Sequence, residues 1–340
     1  MKIASTLAAI LGLVSSASAH YTFDKLLVND EQVGGDNTYI RQHTNYYLPI
    51  KFKNTPSDSI TPLDTDFSCN KGATGSPEVI TVKAGDKIGL RQAYGANGIL
   101  HPGPTQIYIA PVTNATTDNG SDWYKIHQSI ICRQGSAESF QTDAWCIWNE
   151  NNVFGIIPAT IPNGQYLLRG EHIGLHGAHV GEAEFYVACA QIEVTGNTAT
   201  SMPGESVKFP GGYQAADEAV NFSVWGLSTS YPVAPGPDVI PGGTIRGSAD
   251  GAGGDTIQTV AGNSGSDSGS ETSNSSSAPS LAPSASVLST AAPSETVAPT
   301  STASPTTPPT TSSTQPGKGK GCKRSYPRRA AAVLAAKIVA

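Results

Sequence analysis

The chain has 340 residues, with 21 Lys and Arg against 27 Asp and Glu and a formal charge of −6, a length that suits one domain with an extension or two small domains. Seven of the basic residues (Lys318, Lys320, Lys323, Arg324, Arg328, Arg329 and Lys337) fall in the last 23 positions. The body before them is therefore acidic, which argues against a nucleic-acid partner. Past the amino-terminal segment no apolar stretch approaches the roughly eighteen residues needed to span a bilayer, so no membrane span is expected.

Residues 1–19 read as a secretory signal peptide, with Lys2, an apolar run from Leu7 to Val14 and Ala17-Ser18-Ala19 as the cleavage site. Cleavage after Ala19 would release a secreted, extracellular chain that begins at His20. The body, residues 20–243, reads as all-β. Glu78 to Arg91 has the pattern strand, turn at Ala84-Gly85-Asp86, strand, and further strand runs start at Gln106, Gly164 and Ala183. Gly and Pro punctuate these runs and no long helical period appears, which favours an immunoglobulin/fibronectin-III-like β-sandwich with long loops. Loops such as 113–163 exceed tight hairpins, and loops of that length often carry function.

A composition break near residue 244 opens a low-complexity linker, 244–316, dominated from Ala261 onward by Ser, Thr, Pro, Ala and Gly. Such a segment cannot bury enough apolar surface to offset its chain entropy, so a disordered, O-glycosylated extension is expected. Residues 317–340 form a basic tail of unassigned role; its short apolar end, interrupted by Lys337, fits a glycolipid-anchor signal poorly. Five cysteines in a secreted chain suggest disulfides plus one leftover, Cys322. The other four allow three connectivities. Cys69 with Cys189 and Cys132 with Cys146 is the expected pairing, the second because its short intervening loop closes easily. Asn114, Asn119, Asn221 and Asn274 head glycosylation sequons.

Seven histidines are present: His20, His43, His101, His127, His172, His176 and His179. His172 and His176 are spaced H-x-x-x-H but lack the Glu of a zinc protease, and Gly174 between them argues against a helix. An amino-terminal histidine offers more. Its α-amino nitrogen and ring Nδ1 can chelate one metal ion, and a second imidazole completes three nitrogens, a donor set that suits copper. The α-amino group titrates near ~8, so binding by it should weaken in acid.

H-Y-T-F from His20, D-F-S-C-N from Asp66, L-H-P-G-P-T-Q-I-Y from Leu100, Y-L-L-R-G-E-H-I-G-L-H from Tyr166, E-F-Y-V-A-C-A-Q from Glu184, F-P-G-G-Y from Phe209 and L-S-T-S-Y-P-V-A-P-G-P from Leu227 follow one another along the body. Taken in order, these fragments resemble the fungal lytic polysaccharide monooxygenases of auxiliary activity family nine, a group once filed among glycoside hydrolases. The resemblance implies a copper-dependent enzyme that cleaves a β-1,4-glucan, cellulose or an associated hemicellulose, oxidatively at C1 and/or C4. One copper per chain, dioxygen or hydrogen peroxide as co-substrate, and an external electron donor (a small reductant or a cellobiose dehydrogenase-like enzyme) come with it, on a monomeric protein.

Carried over residue by residue, the resemblance makes His20 and His101 the copper ligands and Tyr186 the axial phenol. His176 becomes a hydrogen-bond donor beside the metal, and Tyr231 a ring for stacking on sugar. Glu184 stands where the family usually has Gln, and a carboxylate there accepts hydrogen bonds unless burial raises its pKa. Two rivals differ in class. A copper-binding protein with the same ligands would lack reductant-dependent peroxide formation. A hydrolase with Glu171 and Glu184 as paired carboxylates would survive chelation.

Overall fold

The computed structural model describes residues 20–55, 57–93, 98–232 and 234–262. The signal segment, most of the linker, the basic tail, Asn274 and Cys322 lie outside the described residues. Among the described residues eleven strands form: β1 Phe23–Val28, β2 Glu31–Val33, β3 Ile80–Lys83, β4 Lys87–Gln92, β5 Thr105–Val112, β6 Tyr124–Ser129, β7 Asn152–Ile156, β8 Gly164–Gly174, β9 Glu184–Thr195, β10 Thr244–Arg246 and β11 Ile257–Thr259. They build a four-stranded sheet, β2-β1-β4-β7, and a seven-stranded sheet, β11-β10-β6-β5-β8-β9-β3. This is the two-sheet β-sandwich expected. Among the described residues no helix is long and apolar enough to cross a membrane.

The strand, turn and strand expected over residues 78–91 form as β3 and β4, and the two join different sheets: β3 pairs parallel with β9, whereas β4 pairs with β1 and β7. Gly85, at φ +87°, turns the chain between the sheets, and such an arch has the same local sequence pattern as a hairpin. Two expectations need correction. The stretch 113–163 is not a bare loop, because it contributes β6 and β7. The folded body also runs past residue 243. Beyond it β10 lies parallel to β6, with Thr244 opposite His127, and pairs with β11; three-residue strands in a Gly- and Thr-rich stretch leave little periodic signal.

β8 and β9 are buried on both faces, which is why they read as near-continuous apolar runs. Even-numbered β8 residues face the four-stranded sheet. A Cβ on Gly170 would sit 3.0 Å from Leu90 and Val153, so glycine lets the sheets close at that point. Odd-numbered residues face a layer of loops. There Arg169 pairs with Glu171 at 2.7 Å, its Nε donates to the Ser68 carbonyl at 2.9 Å, and its guanidinium lies 4.2 Å from the Phe209 ring centre. Glu171 also accepts hydrogen bonds from Gln106 at 2.9 Å and Tyr213 at 2.8 Å. These contacts pair the two buried charges and hydrogen-bond most of their polar atoms, although Arg169 Nη1 has no partner among the described residues. Cys69 bonds Cys189 on this same outer face of β9, and Cys132 bonds Cys146.

His127, on β6, is fully buried and hydrogen-bonds Thr244 at 2.7 Å and Ser129 at 2.9 Å. Burial, with help from the Arg246 and Lys87 charges, lowers its pKa to about 3. The unfolded chain thus binds this proton at higher pH than the folded one, so His127 favours folding fully above about 6.5 and progressively less as pH falls toward 3. Urea titrations across that window should show a decline in unfolding free energy that is shallower in His127→Gln, by at most about 1.4 kcal/mol per pH unit, the value for one proton.

Candidate metal centre

At one end of the sandwich the β8–β9 register sets His172 opposite Tyr186 and Gly174 opposite Glu184. His101 reaches them from the connection between β4 and β5. Leu175 N donates to the Pro102 carbonyl at 2.8 Å and Ile173 N to that of Pro104 at 3.1 Å, docking L-H-P-G-P on the end of β8. Two glycines make this approach possible. Gly103 has φ +152° and a Cβ there would lie 1.8 Å from the Ile173 carbonyl oxygen, while a Cβ on Gly174 would press on the His101 ring at 3.2 Å. The amino-terminal arm arrives from the opposite sheet: Ala93 N donates to the Thr22 carbonyl at 2.9 Å, so His20 and Tyr21 extend over the same end.

Glu184 is the meeting point. Its Oε2 lies 3.4 Å from His101 Nε2 and accepts the Tyr186 hydroxyl at 2.7 Å. Its Oε1 lies 3.7 Å from His176 Nε2, 3.9 Å from His20 Nε2 and 3.1 Å from Lys51 Nζ. Burial opposes ionisation of this carboxyl. Hydrogen bonds from His101, His176 and Tyr186 outweigh burial and hold it well below the usual carboxylate range. An ionised Glu184, rather than one neutralised by burial, is the structural outcome. His101, His176 and Glu184 offer ligand atoms that all lie within 4.8 Å of one another, a grouping able to hold a metal ion. The rim is open: 45 % of the His20 side chain and 37 % of that of His176 are exposed.

Beneath the rim, Tyr21 stacks on Tyr186 with ring centres 4.0 Å apart, and its hydroxyl hydrogen-bonds His172 Nδ1. Burial, then the Glu184 charge, raises the Tyr21 phenol pKa, while burial and the His101 charge keep His172 neutral. His172 reads from sequence as an ordinary polar residue; its place on the inward face of a strand buried on both sides is what brings it under the centre.

Five of the sequence-derived site residues therefore come together: His20, His101, His176, Glu184 and Tyr186. Tyr231 does not. Its side chain is 1 % exposed, donates to the Ala219 carbonyl at 2.5 Å and packs against Trp145 and Phe222, so it cannot stack on a sugar. Glu171, the second carboxylate of the hydrolase alternative, is 0 % exposed and bound to Arg169, which removes it as an acid or base at a substrate. Three residues escape sequence reasoning. Lys51 is one. Trp225 is another, 46 % exposed, its indole Nε1 donating to the His176 carbonyl at 2.8 Å. Tyr46, at 75 % exposure, is the third, on the loop whose His43 hydrogen-bonds Thr22 at 2.8 Å. No local pattern marks any of the three, because exposure and contacts between distant segments are not visible in sequence. Asn114, Asn119 and Asn221 are exposed, as glycan acceptors must be.

The profile of Auxiliary Activity family 9 (formerly GH61) matches residues 20–231. AA9 family lytic polysaccharide monooxygenase A of Aspergillus fumigatus is 43% identical over 251 residues, covering 72% of this chain and 84% of that protein. AA9 family lytic polysaccharide monooxygenase D of Emericella nidulans is 43% identical over 246 residues, 70% of this chain and 83% of its own. Among solved structures, CvAA9A superposes with a TM-score of 0.53 at 27% identity, over 65% of this chain and 97% of that one.

Tyr186→Phe deletes a buried hydrogen bond to an ionised carboxylate. It should lower the unfolding free energy of the chelator-treated protein by about 1.5–3 kcal/mol, read from the urea midpoint.

Proposed function

The chain belongs to Auxiliary Activity family 9, a family of copper-dependent polysaccharide monooxygenases, and on that premise we propose that it acts outside the cell on a β-1,4-glucan, cellulose or an associated hemicellulose, oxidising C1 and/or C4. The observation that carries this reading is the convergence on Glu184 of imidazoles from three distant segments, one of them His20, the residue that follows the expected signal cleavage site. The donor set fits copper, since imidazole nitrogens suit that metal and a buried carboxylate places negative charge beside a cation. His20, through its amino group and ring, and His101 would hold the ion, with the Tyr186 phenol close by. Bound copper, reduced by an external donor, would supply one-electron chemistry with dioxygen or hydrogen peroxide.

The chain's own residues set the conditions for that chemistry. Tyr186 keeps its proton, because burial, Tyr21 and Glu184 all raise its pKa far above the ordinary value, and it donates that proton's hydrogen bond to Glu184 Oε2. His176, partly exposed at the rim with its Nε2 3.7 Å from Glu184 Oε1, would hydrogen-bond the oxygen co-substrate. Outer residues of this kind orient a metal's ligands and tune its behaviour. His172 and Tyr21 pack below the centre with stacked rings and a hydrogen-bonded hydroxyl. The exposed Trp225 and Tyr46 offer flat apolar faces to sugar rings in the place where Tyr231 was expected to do so.

Incubation with phosphoric-acid-swollen cellulose and a reductant should release oxidised oligosaccharides, and EDTA should abolish them. Copper binding without oxidised products would favour the non-oxygenase alternative, and unoxidised ends that survive EDTA would point to hydrolysis. Trp225→Ala should weaken adsorption to cellulose about tenfold, ~1.4 kcal/mol, in depletion isotherms.

A further inference from the structure

Glu184 receives a lysine as well as imidazoles. Lys51 Nζ lies 3.1 Å from Oε1, with 24 % of its side chain exposed. The backbone fixes where that lysine starts. Ile50 N donates to the Phe185 carbonyl at 3.0 Å and Phe185 N to that of Ile50 at 2.8 Å, a two-bond antiparallel bridge that sets Lys51 next to Glu184. Phe185 is itself packed edge-on against Phe52 and Phe67, so the bridge is clamped from both sides of Lys51. The carboxylate is thereby divided between two partners, Oε1 to the Lys51 ammonium and Oε2 to the Tyr186 hydroxyl.

We propose that Lys51 is a positioning residue for the metal centre, holding Glu184 so that its carboxylate neither joins the metal's ligands nor leaves an unbalanced negative charge beside it. The proposal rests on the reading that His20 and His101 hold copper. Carboxylate oxygen is a competent ligand for divalent metals, and Glu184 is near enough to His101 and His176 to become one. An unpaired negative charge at this range would also stabilise the more positive oxidation state of the ion, because Coulomb energies are large where water is scarce. With Lys51 in place the pair is neutral and both oxygens are engaged.

The test uses the copper-loaded protein and four variants, Lys51→Met, Lys51→Arg, Glu184→Gln and the Lys51→Met/Glu184→Gln double substitution. Each is read by redox titration and by electron paramagnetic resonance of the cupric form. Lys51→Met should favour Cu(II) over Cu(I) about tenfold more than the unaltered protein, a midpoint about 59 mV lower for a one-electron couple, with oxygen-ligand character added to its spectrum. Lys51→Arg and the double substitution should stay at the unaltered value, and Glu184→Gln alone should shift the midpoint upward. An unchanged midpoint and spectrum in Lys51→Met, or a fall that persists in the double substitution, overturns the proposal. Should Lys51→Met not fold, an unmoved midpoint in Glu184→Gln overturns it instead. Failure of the unaltered protein to show a three-nitrogen cupric spectrum would instead remove the underlying reading, which keeps the two failures distinct.

Discussion

The pairing of β8 with β9 is the constraint on which the rest depends. The ladder runs without a break from Gly164 opposite Val194 to Gly174 opposite Glu184. Because side chains alternate along a strand, a slip of one residue would send Tyr186 and Glu184 to the loop-covered face and Cys189 into the sandwich. Two features oppose such a slip. On the outer face, Cys189 is tied to Cys69 and Arg169 to Glu171 and Ser68. On the inner face, Gly170 meets Leu90 and Val153 so closely that a Cβ, at 3.0 Å from each, would have to push them aside. The polar network buried away from the centre thus serves the centre by holding the register of the strands that carry it.

Electrostatics at the open end follow from that placement. A carboxylate this buried would ordinarily take up a proton, yet Glu184 is surrounded by donors: a phenol, imidazole nitrogens and an ammonium. Each donor comes from a different part of the chain. The amino-terminal arm leaves β1 in one sheet, His101 crosses between sheets, His176 follows β8 and Lys51 is bridged to β9. The site exists only in the folded chain, and no short segment could supply it. Its exposure on a rim, rather than in a closed pocket, suits a polymer that cannot enter a cavity.

How much of this was legible in the sequence depends on the range of the interaction involved. β5, β8 and β9 were readable because strands buried on both faces leave long apolar runs, and the histidines were readable because the expected signal cleavage site precedes His20 and L-H-P-G-P has a recognisable composition. The arch between β3 and β4 was not readable, since a turn at Gly85 says nothing about which sheet receives each strand. Tyr231 sits among Ser, Pro and Gly, a setting that suggests surface, and only the packing of Trp145 and Phe222 shows it to be core. Lys51 and His172 carry no local signal at all. One depends on a bridge between Ile50 and Phe185 and the other on a cross-strand neighbour, both contacts between residues far apart in the chain.

The central claim is that the amine and ring freed at His20 grip the metal together with His101. Its most direct measurement compares the copper affinity of the protein beginning at His20 with that of the same protein carrying one extra alanine before it, with the cupric resonance spectrum recorded for each. The account predicts tight binding and an axial three-nitrogen spectrum for the first, and at least a hundredfold weaker binding for the second (~2.7 kcal/mol) with that spectrum lost. Equal affinity and identical spectra in the two proteins would contradict it.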